Sequence, residues 1–108
     1  MDISSIHFHD TKIHRVIEDA DAKTLTMEVT YPVDWERNVF EKRLLIFDDV
    51  HHYQVAEWEL FGGAPTILDA EIVSTDGRWS RLRLETNAGH RELSCVAVRL
   101  IGYDTVAS

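Results

Sequence analysis

The feature that most constrains this chain is a strict alternation of apolar and polar residues from Thr24 to Tyr31. Every second residue there is apolar, and the residues between them are threonines and one glutamate. Successive side chains of a β-strand point to opposite faces of the sheet, so this pattern is typical of a strand with one buried face. The alternation therefore predicts a half-buried β-strand.

A second segment, from Lys12 to Glu18, precedes this strand and is joined to it by the polar residues 19–23. The two segments predict a β-hairpin whose register is set by this loop. The predicted cross-strand pairs are Ile17 with Leu25, Arg15 with Met27, His14 with Glu28 and Ile13 with Val29. In this register the charged Arg15 falls at a position that faces inward with apolar residues, which predicts a bulge or an exposed edge there.

Turn signals divide the rest of the chain into short segments. Pro32 with the charged residues 34–38 predicts an interruption of the sheet, and glycine-containing turns are predicted at residues 62–65, 75–77 and 87–90. Residues 50–61 fit either a helix or a strand, and a strand is the preferred interpretation. The further predicted strands are Phe40 to Phe47, Tyr53 to Leu60, Thr66 to Ser74, Trp79 to Thr86 and Arg91 to Tyr103.

About seven short strands separated by turns predict an all-β, mainly antiparallel fold with at most one short helix. It is either a sandwich or a strongly coiled sheet, and a length of 108 residues predicts one domain over residues 1–108. The apolar run from Leu44 to Phe47 predicts a central strand between two layers. The predicted core residues are Phe8, Leu25, Val29, Leu44, Ile46, Leu82, Leu84, Leu93 and Cys95.

The last two predicted strands suggest a contact between copies of the chain. Pairing Leu84 with Leu93 and Leu82 with Cys95 places four apolar side chains on one face. The opposite face then carries a second apolar group, namely Trp79, Val96, Val98 and Leu100. Either a second layer of the same chain covers this group or another copy does. We expect a homodimer in preference to a monomer.

Charge restricts the class of partner. Nineteen acidic and eleven basic side chains give a formal net charge of −8. Nucleic acids and anionic membranes are therefore not expected partners, because both require a clustered positive face. The beginning of the chain lacks the basic start and apolar run of a secretory signal, and Cys95 is the single cysteine. We expect a cytoplasmic protein that binds another protein.

Candidate metal ligands lie near the beginning of the chain. His7 and His9 point the same way in an extended segment, and either Asp10 or His14 could add a third ligand to a zinc-like site. The alternative interpretation of the Phe8-His9-Asp10 motif is structural, with Asp10 fixing a turn and Phe8 anchoring the chain to the core. The structural interpretation is preferred because the spacing matches no established metal motif.

The remaining polar residues give weaker evidence for a binding or catalytic site. Three side chains at alternate positions of one predicted strand could bind an acidic or aromatic ligand, namely Trp79, Arg81 and Arg83. Three pairs of nearby carboxylates are expected to be solvated, because a chain with 19 acidic residues contains such pairs by composition alone. They are Asp48 with Asp49, Glu57 with Glu59, and Asp69 with Glu71. Cys95 lies among apolar residues and is expected to behave as a small hydrophobic side chain. No sequence motif implies a cofactor, and none is expected.

Three short motifs occur in a recognisable order. Phe8-His9-Asp10 precedes the first hairpin, Phe47-Asp48-Asp49-Val50 follows a middle strand, and Leu93-Ser94-Cys95-Val96-Ala97-Val98 lies in the last strand. This order resembles a group of small bacterial β proteins of mostly unknown function, some of which are similar to immunity proteins of polymorphic toxin systems. The resemblance implies binding rather than catalysis, and it carries no catalytic residues.

Two functions follow as expectations. The first is a noncatalytic binding module, in particular an immunity-type inhibitor whose acidic charge covers a basic cleft of a toxin. The alternative is a small metal-dependent or acid–base enzyme that uses the His7, His9 and Asp10 cluster.

Overall fold

The structure is a computed structural model that describes residues 6–58 and 64–102. These residues form eight strands and no helix: β1 (Lys12–Asp19), β2 (Thr24–Asp34), β3 (Val39–Asp48), β4 (His51–Glu57), β5 (Ile67–Asp76), β6 (Trp79–Thr86), β7 (Gly89–Cys95) and β8 (Ala97–Gly102). They build two antiparallel four-stranded sheets, with strand orders β1-β2-β3-β8 and β4-β7-β6-β5. The predicted all-β antiparallel fold is confirmed, and its two layers are those of a sandwich.

The first sheet is organised around β2 and β3. The alternating apolar residues of β2, including Leu25, Met27 and Val29, are buried, while the threonines between them are partly exposed. β3 lies between β2 and β8, and all four residues from Leu44 to Phe47 are buried. The predicted central position of this strand in its sheet is confirmed, but in the described residues the second sheet packs against only one of its faces, so it does not lie between two layers.

The register of the first hairpin differs from the predicted one. Ile13 faces Val29 as expected, but a bulge lies between Ile13 and Arg15, and beyond it Arg15 faces Glu28. The turn occupies residues 20–23 rather than five residues, which shifts the strand by one position between the turn and the bulge. Ile17 therefore faces Thr26, on the outer side of the sheet, and is largely exposed.

The predicted interruption after Pro32 is confirmed at residues 35–38, but the strand does not stop at Pro32 itself, where the structure has a register irregularity between Pro32 and Asp34. Pro32 pairs with Phe40, and β2 continues to Asp34 before the turn at residues 35–38. β1 pairs with β2 only as far as Thr30, so within the described residues Pro32 has a neighbouring strand on one side. A proline is tolerated at such an edge because its missing N–H removes no bond of the sheet.

The last hairpin has a register shifted by two residues from the predicted one. Leu82 faces Leu93 and Leu84 faces Arg91, because the turn is the two residues 87–88 rather than four. A shift of two keeps every side chain on its face. Leu82, Leu84 and Leu93 are accordingly buried, as predicted, although their partners differ.

The predicted strand from Arg91 to Tyr103 is in fact two strands in different sheets. β7 ends at Cys95, Val96 donates a backbone hydrogen bond to the Asp48 carbonyl at 3.0 Å, and β8 continues in the first sheet. Val98 is fully buried in the cluster between the sheets. Leu100 packs against the same cluster, whereas Trp79 lies on the outer side of β6, so the four residues do not form the single apolar face on which the homodimer prediction depended.

One hydrophobic cluster joins the two sheets, with Phe47, Leu25 and Leu45 among its largest fully buried side chains. All nine predicted core residues are buried. Leu44 and Ile46, however, are outside this cluster, because they alternate with Leu45 and Phe47 and point to the outer face of the first sheet.

The ambiguous segment at residues 50–61 contains β4, so the preference for a strand over a helix is correct, but the strand begins at His51 and ends at Glu57. Its predicted end at Leu60 lies outside the described residues, as do Glu59, Tyr103 and the glycines of the predicted turn at residues 62–65.

Candidate binding surfaces

One end of the first sheet collects acidic side chains from two turns. β1 ends in Glu18 and Asp19, the following turn contains Asp21, β3 ends in Asp48, and Asp49 follows it. The Val50 amide donates a hydrogen bond to the Lys23 carbonyl at 2.8 Å, which holds the second turn against the first. We call the five carboxylates Glu18, Asp19, Asp21, Asp48 and Asp49 the acidic end.

Two of these carboxylates have structural roles. Asp19 accepts hydrogen bonds from the backbone N–H groups of Asp21 and Ala22, at 3.1 and 3.0 Å, and so fixes the turn. Asp48 is bound by the Arg99 guanidinium through two bonds of 2.9 Å, and this interaction raises the pKa of Arg99. Both carboxylates position the turns in which the other acids lie.

The other carboxylates of the acidic end remain exposed or half-buried. Within the described part of the chain no cation lies at ion-pair distance from Glu18, Asp21 or Asp49. Between the first turn and Val50 lies a cleft of about 110 Å³, lined by Glu18, Asp19, Ala20, Lys23, Thr24, Leu25 and Val50. This end therefore combines negative charge with a shallow depression.

The residues predicted to bind a ligand, Trp79, Arg81 and Arg83, lie together on the outer face of the second sheet. Arg81 donates hydrogen bonds to the His52 carbonyl at 3.0 Å and to the Ser94 hydroxyl at 3.3 Å. Its guanidinium also forms an ion pair with the Glu92 carboxylate at 3.8 Å. Arg83 is hydrogen-bonded to Glu85, which raises the pKa of Arg83. Both guanidinium groups thus bind groups of the protein itself.

Trp79 is likewise engaged by neighbouring side chains. The His51 ring contacts the Trp79 ring edge-on at 4.6 Å between centroids, and the Arg78 guanidinium lies 5.9 Å from the Trp79 ring centroid. These contacts are of the aromatic and cation–π types. The structure brings Trp79, Arg81 and Arg83 onto one strand face, and it shows all three in internal contacts.

The Phe8-His9-Asp10 motif lies against the far end of the β2–β3 hairpin. Phe8 is buried in the core cluster, as the structural interpretation requires. Asp10 accepts a hydrogen bond from the Trp35 indole N–H at 2.9 Å, and its own backbone N–H donates to the Ile67 carbonyl. One ring nitrogen of His9, Nδ1, lies 2.6 Å from the Leu68 carbonyl. The motif fastens the N-terminal segment to both sheets.

The predicted metal ligands are not assembled into a metal site. The ring centroids of His7 and His9 are 6.2 Å apart, and the His7 ring lies beside Trp35. Across residues 6–58 and 64–102, no three His, Cys, Asp or Glu side chains are placed so that they could hold a metal ion. His14 does not face Glu28 as predicted; its Nε2 atom lies 2.6 Å from the Thr30 hydroxyl.

Glu57, expected from the sequence to be solvated, instead belongs to a buried polar network. Arg91 makes two hydrogen bonds of 2.8 Å with the Glu57 carboxylate, and both side chains are about nine-tenths buried, at 11% and 10% exposure. The Tyr53 and Thr86 hydroxyls complete the network, at 3.2 Å from Arg91 and 3.0 Å from Glu57. The alternation of Arg91 with Leu93 and Cys95 in β7 was the available signal, since it places Arg91 on the core face.

Burial has opposite consequences for the ionisable groups of this region. Burial raises the pKa of Tyr53, while the charge of Arg91 partly offsets the increase. Burial alone would lower the pKa of Arg91, but the bonds to Glu57 outweigh it and the pKa is raised. Cys95 is fully buried, as expected of a small hydrophobic side chain, and burial raises its pKa to about 11.

No protein-family model, curated protein or solved structure matches this chain. The described residues include no helix with the length and apolar character needed to cross a membrane.

Proposed function

We propose that this chain is a noncatalytic binding module whose acidic end docks onto a basic surface of another protein. The observation that carries the proposal is that Glu18 lines a cleft between two turns that also carry Asp21 and Asp49, and that the bond from the Val50 amide to the Lys23 carbonyl holds these turns together. Two turns about thirty residues apart in the chain are brought together, so the charge is concentrated by the fold rather than by a local run of acids.

The electrostatics of the whole molecule support the same proposal. A net charge of −8 attracts a basic partner over distances comparable to the screening length, which is about 8 Å at physiological salt. Charge complementarity of this kind raises the association rate and excludes acidic partners more than it increases affinity. By contrast, Arg81 and Arg83 on the second sheet already bind acceptors of the chain itself.

The specific form of the proposal is an immunity-type inhibitor that covers a basic cleft of a bacterial toxin. It is supported by the resemblance of the three short motifs to immunity-like β proteins and by the acidic charge. The polar atoms of the enzymatic alternative, His9 Nδ1 and the Asp10 carboxylate, are used in contacts with Leu68 and Trp35.

The test uses the protein encoded beside this chain's gene. That protein is expressed in a bacterial host with and without this chain, and growth and the association rate of the purified pair are measured. We expect the chain to restore growth and to associate more slowly at high salt. Absence of binding, or restoration of growth without binding, would contradict the proposal.

A pair of matched variants locates the contact. Glu18→Gln with Asp21→Asn removes two charges from the acidic end, and Glu71→Gln with Asp76→Asn removes two exposed charges from β5. Both variants change the net charge equally, from −8 to −6. We expect the first to weaken binding about two- to tenfold and the second to have a much smaller effect. Equal effects would show that net charge, and not the acidic end, is recognised.

A further inference from the structure

β5 lies at one edge of the second sheet, and among the eight strands it pairs only with β6. Three of its apolar side chains are largely exposed, namely Leu68 at 47%, Ile72 at 48% and Val73 at 52%. An edge strand with exposed apolar residues is a template to which a strand of another molecule can be added. The edge of β5 is therefore where this fold needs protection against association.

The segment that precedes β1 runs along the start of β5. The Asp10 amide donates a hydrogen bond to the Ile67 carbonyl, and the Ile67 amide donates one to the Thr11 carbonyl, each at 2.8 Å. An isolated bridge between Lys12 and Thr66 shows that the segment runs antiparallel to β5. Both backbone polar groups of Ile67 are therefore bonded to the N-terminal segment and are closed to a strand from outside.

Side chains occupy the next backbone groups of β5. The Nδ1 atom of His9 lies 2.6 Å from the Leu68 carbonyl, and the Asp69 carboxylate accepts a hydrogen bond from the Ala70 amide at 2.9 Å. The pairing of β5 with β6 also contains two bulges, which bend the strand and make it an irregular template. The first four residues of β5 thus all have backbone groups bonded by the chain itself or displaced by a bulge.

Contacts away from β5 hold the N-terminal segment in this position. Phe8 is buried in the core cluster, and the Thr11 hydroxyl donates a hydrogen bond to the His7 carbonyl at 3.1 Å. The Trp35 indole N–H donates one to the Asp10 carboxylate at 2.9 Å, which ties the segment to the β2–β3 hairpin. The segment is therefore fastened from two sides, and its contact with β5 does not depend on β5 alone.

We propose that residues 8–12, which we call the edge cap, close the start of β5 against addition of a strand from a second molecule of this chain. The Phe8-His9-Asp10 motif supplies the parts of the cap, because Phe8 anchors it, His9 covers Leu68 and Asp10 binds both Ile67 and the hairpin. Loosening the cap frees the edge of β5, and two molecules then associate through that edge. This inference is independent of the function proposed for the acidic end.

The test loosens the cap without removing its buried residues. His9→Ala with Trp35→Phe deletes the contact with Leu68 and the tether to the hairpin, and it keeps an aromatic ring at position 35. We expect the Ile67 amide to exchange its hydrogen about tenfold faster or more, because fewer bonds hold the cap closed. Sedimentation is run in about 1 M salt, where the screening length is about 3 Å and repulsion between the acidic chains is suppressed. The mass of the loosened variant should rise above that of the unmodified protein.

Two controls locate the association. His14→Ala with Trp58→Phe makes the same chemical changes outside the cap and should not increase the mass. Val73→Lys, added to the loosened variant, places a charge on the edge of β5 and should reverse the gain. Val55→Lys places the same charge on β4, the other edge strand of the sheet, and should not reverse it. The two valines are matched, at 52% and 50% exposure.

The outcomes decide between the edge cap and a general loss of stability. Unchanged exchange at Ile67, or faster exchange there with no gain in mass, would overturn the proposal. So would an equal gain in mass in the control variant, or equal suppression by Val73→Lys and Val55→Lys. Association that follows a lowered thermal midpoint in both variants would assign it to unfolding and would overturn the proposal as well.

Discussion

The buried pair of Arg91 and Glu57 gives the sharpest test of how this fold is stabilised. Replacing Arg91 with Met keeps most of the side-chain volume but leaves the Glu57 carboxylate, which is 10% exposed, with the Thr86 hydroxyl as its remaining side-chain donor among the described residues. Removing one partner of a buried ion pair costs about 3 to 5 kcal/mol, because the remaining charge is left without its partner at a site that water solvates poorly. That is a large part of the total stability of a small domain, which is about 5 to 15 kcal/mol.

The chain contains a matched control for this prediction. Arg99 and Asp48 form a pair with the same two-bond geometry, at 2.9 Å and 2.9 Å, but their side chains are 50% and 29% exposed. Solvated pairs contribute about 0.2 to 1 kcal/mol. Arg99→Met should therefore lower the free energy of unfolding several-fold less than Arg91→Met does.

Urea denaturation of the single and double variants measures both effects. Removing both charges together, with Arg91→Met and Glu57→Met, should cost at least about 2 kcal/mol less than the sum of the two single changes, because no unpaired charge is left in the core. The reasoning is refuted if Arg91→Met and Arg99→Met destabilise equally, or if the two single changes at positions 91 and 57 are additive.

Three further predictions concern single positions. Gly89→Ala should destabilise the protein much more than Gly77→Ala, because a Cβ at Gly89 would lie 2.1 Å from the Ala56 carbonyl oxygen, whereas one at Gly77 meets nothing within 4 Å; equal melting temperatures would contradict this. Leu84→Ala should cost about 2 to 5 kcal/mol, since the side chain is fully buried; an unchanged thermal midpoint would show that the core face is wrong. Burial raises the pKa of Cys95 from 9.0 to about 11, so the folded state favours the protonated thiol. The stability that this preference contributes is fully present below pH 9 and should be lost as the pH rises towards 11. Denaturation of a Cys95→Ala variant should lack that part of the alkaline loss, and labelling of the native thiol at pH 8 faster than a few per cent of the denatured rate would contradict its burial.

The sequence predicts faces of strands better than their partners. Leu82, Leu84 and Leu93 were placed on the core face correctly although the hairpin register was wrong by two residues. A shift of one residue turns a strand's apolar side to water, whereas a shift of two does not. The hydrophobic pattern therefore cannot distinguish between two registers that differ by two residues. The remaining choice is made by the turn, here two residues followed by Gly89 with φ of +145°.

The passage from β7 to β8 could not be predicted from local sequence. Residues from Arg91 to Leu100 are apolar at most positions, and such a run fits one long strand as well as two strands in different layers. The distinction depends on the hydrogen bond from the Val96 amide to the Asp48 carbonyl and on space between the sheets for Val98, both set by residues about fifty positions earlier. For the same reason the acidic end, which joins two distant turns, was visible in the sequence only as a net charge.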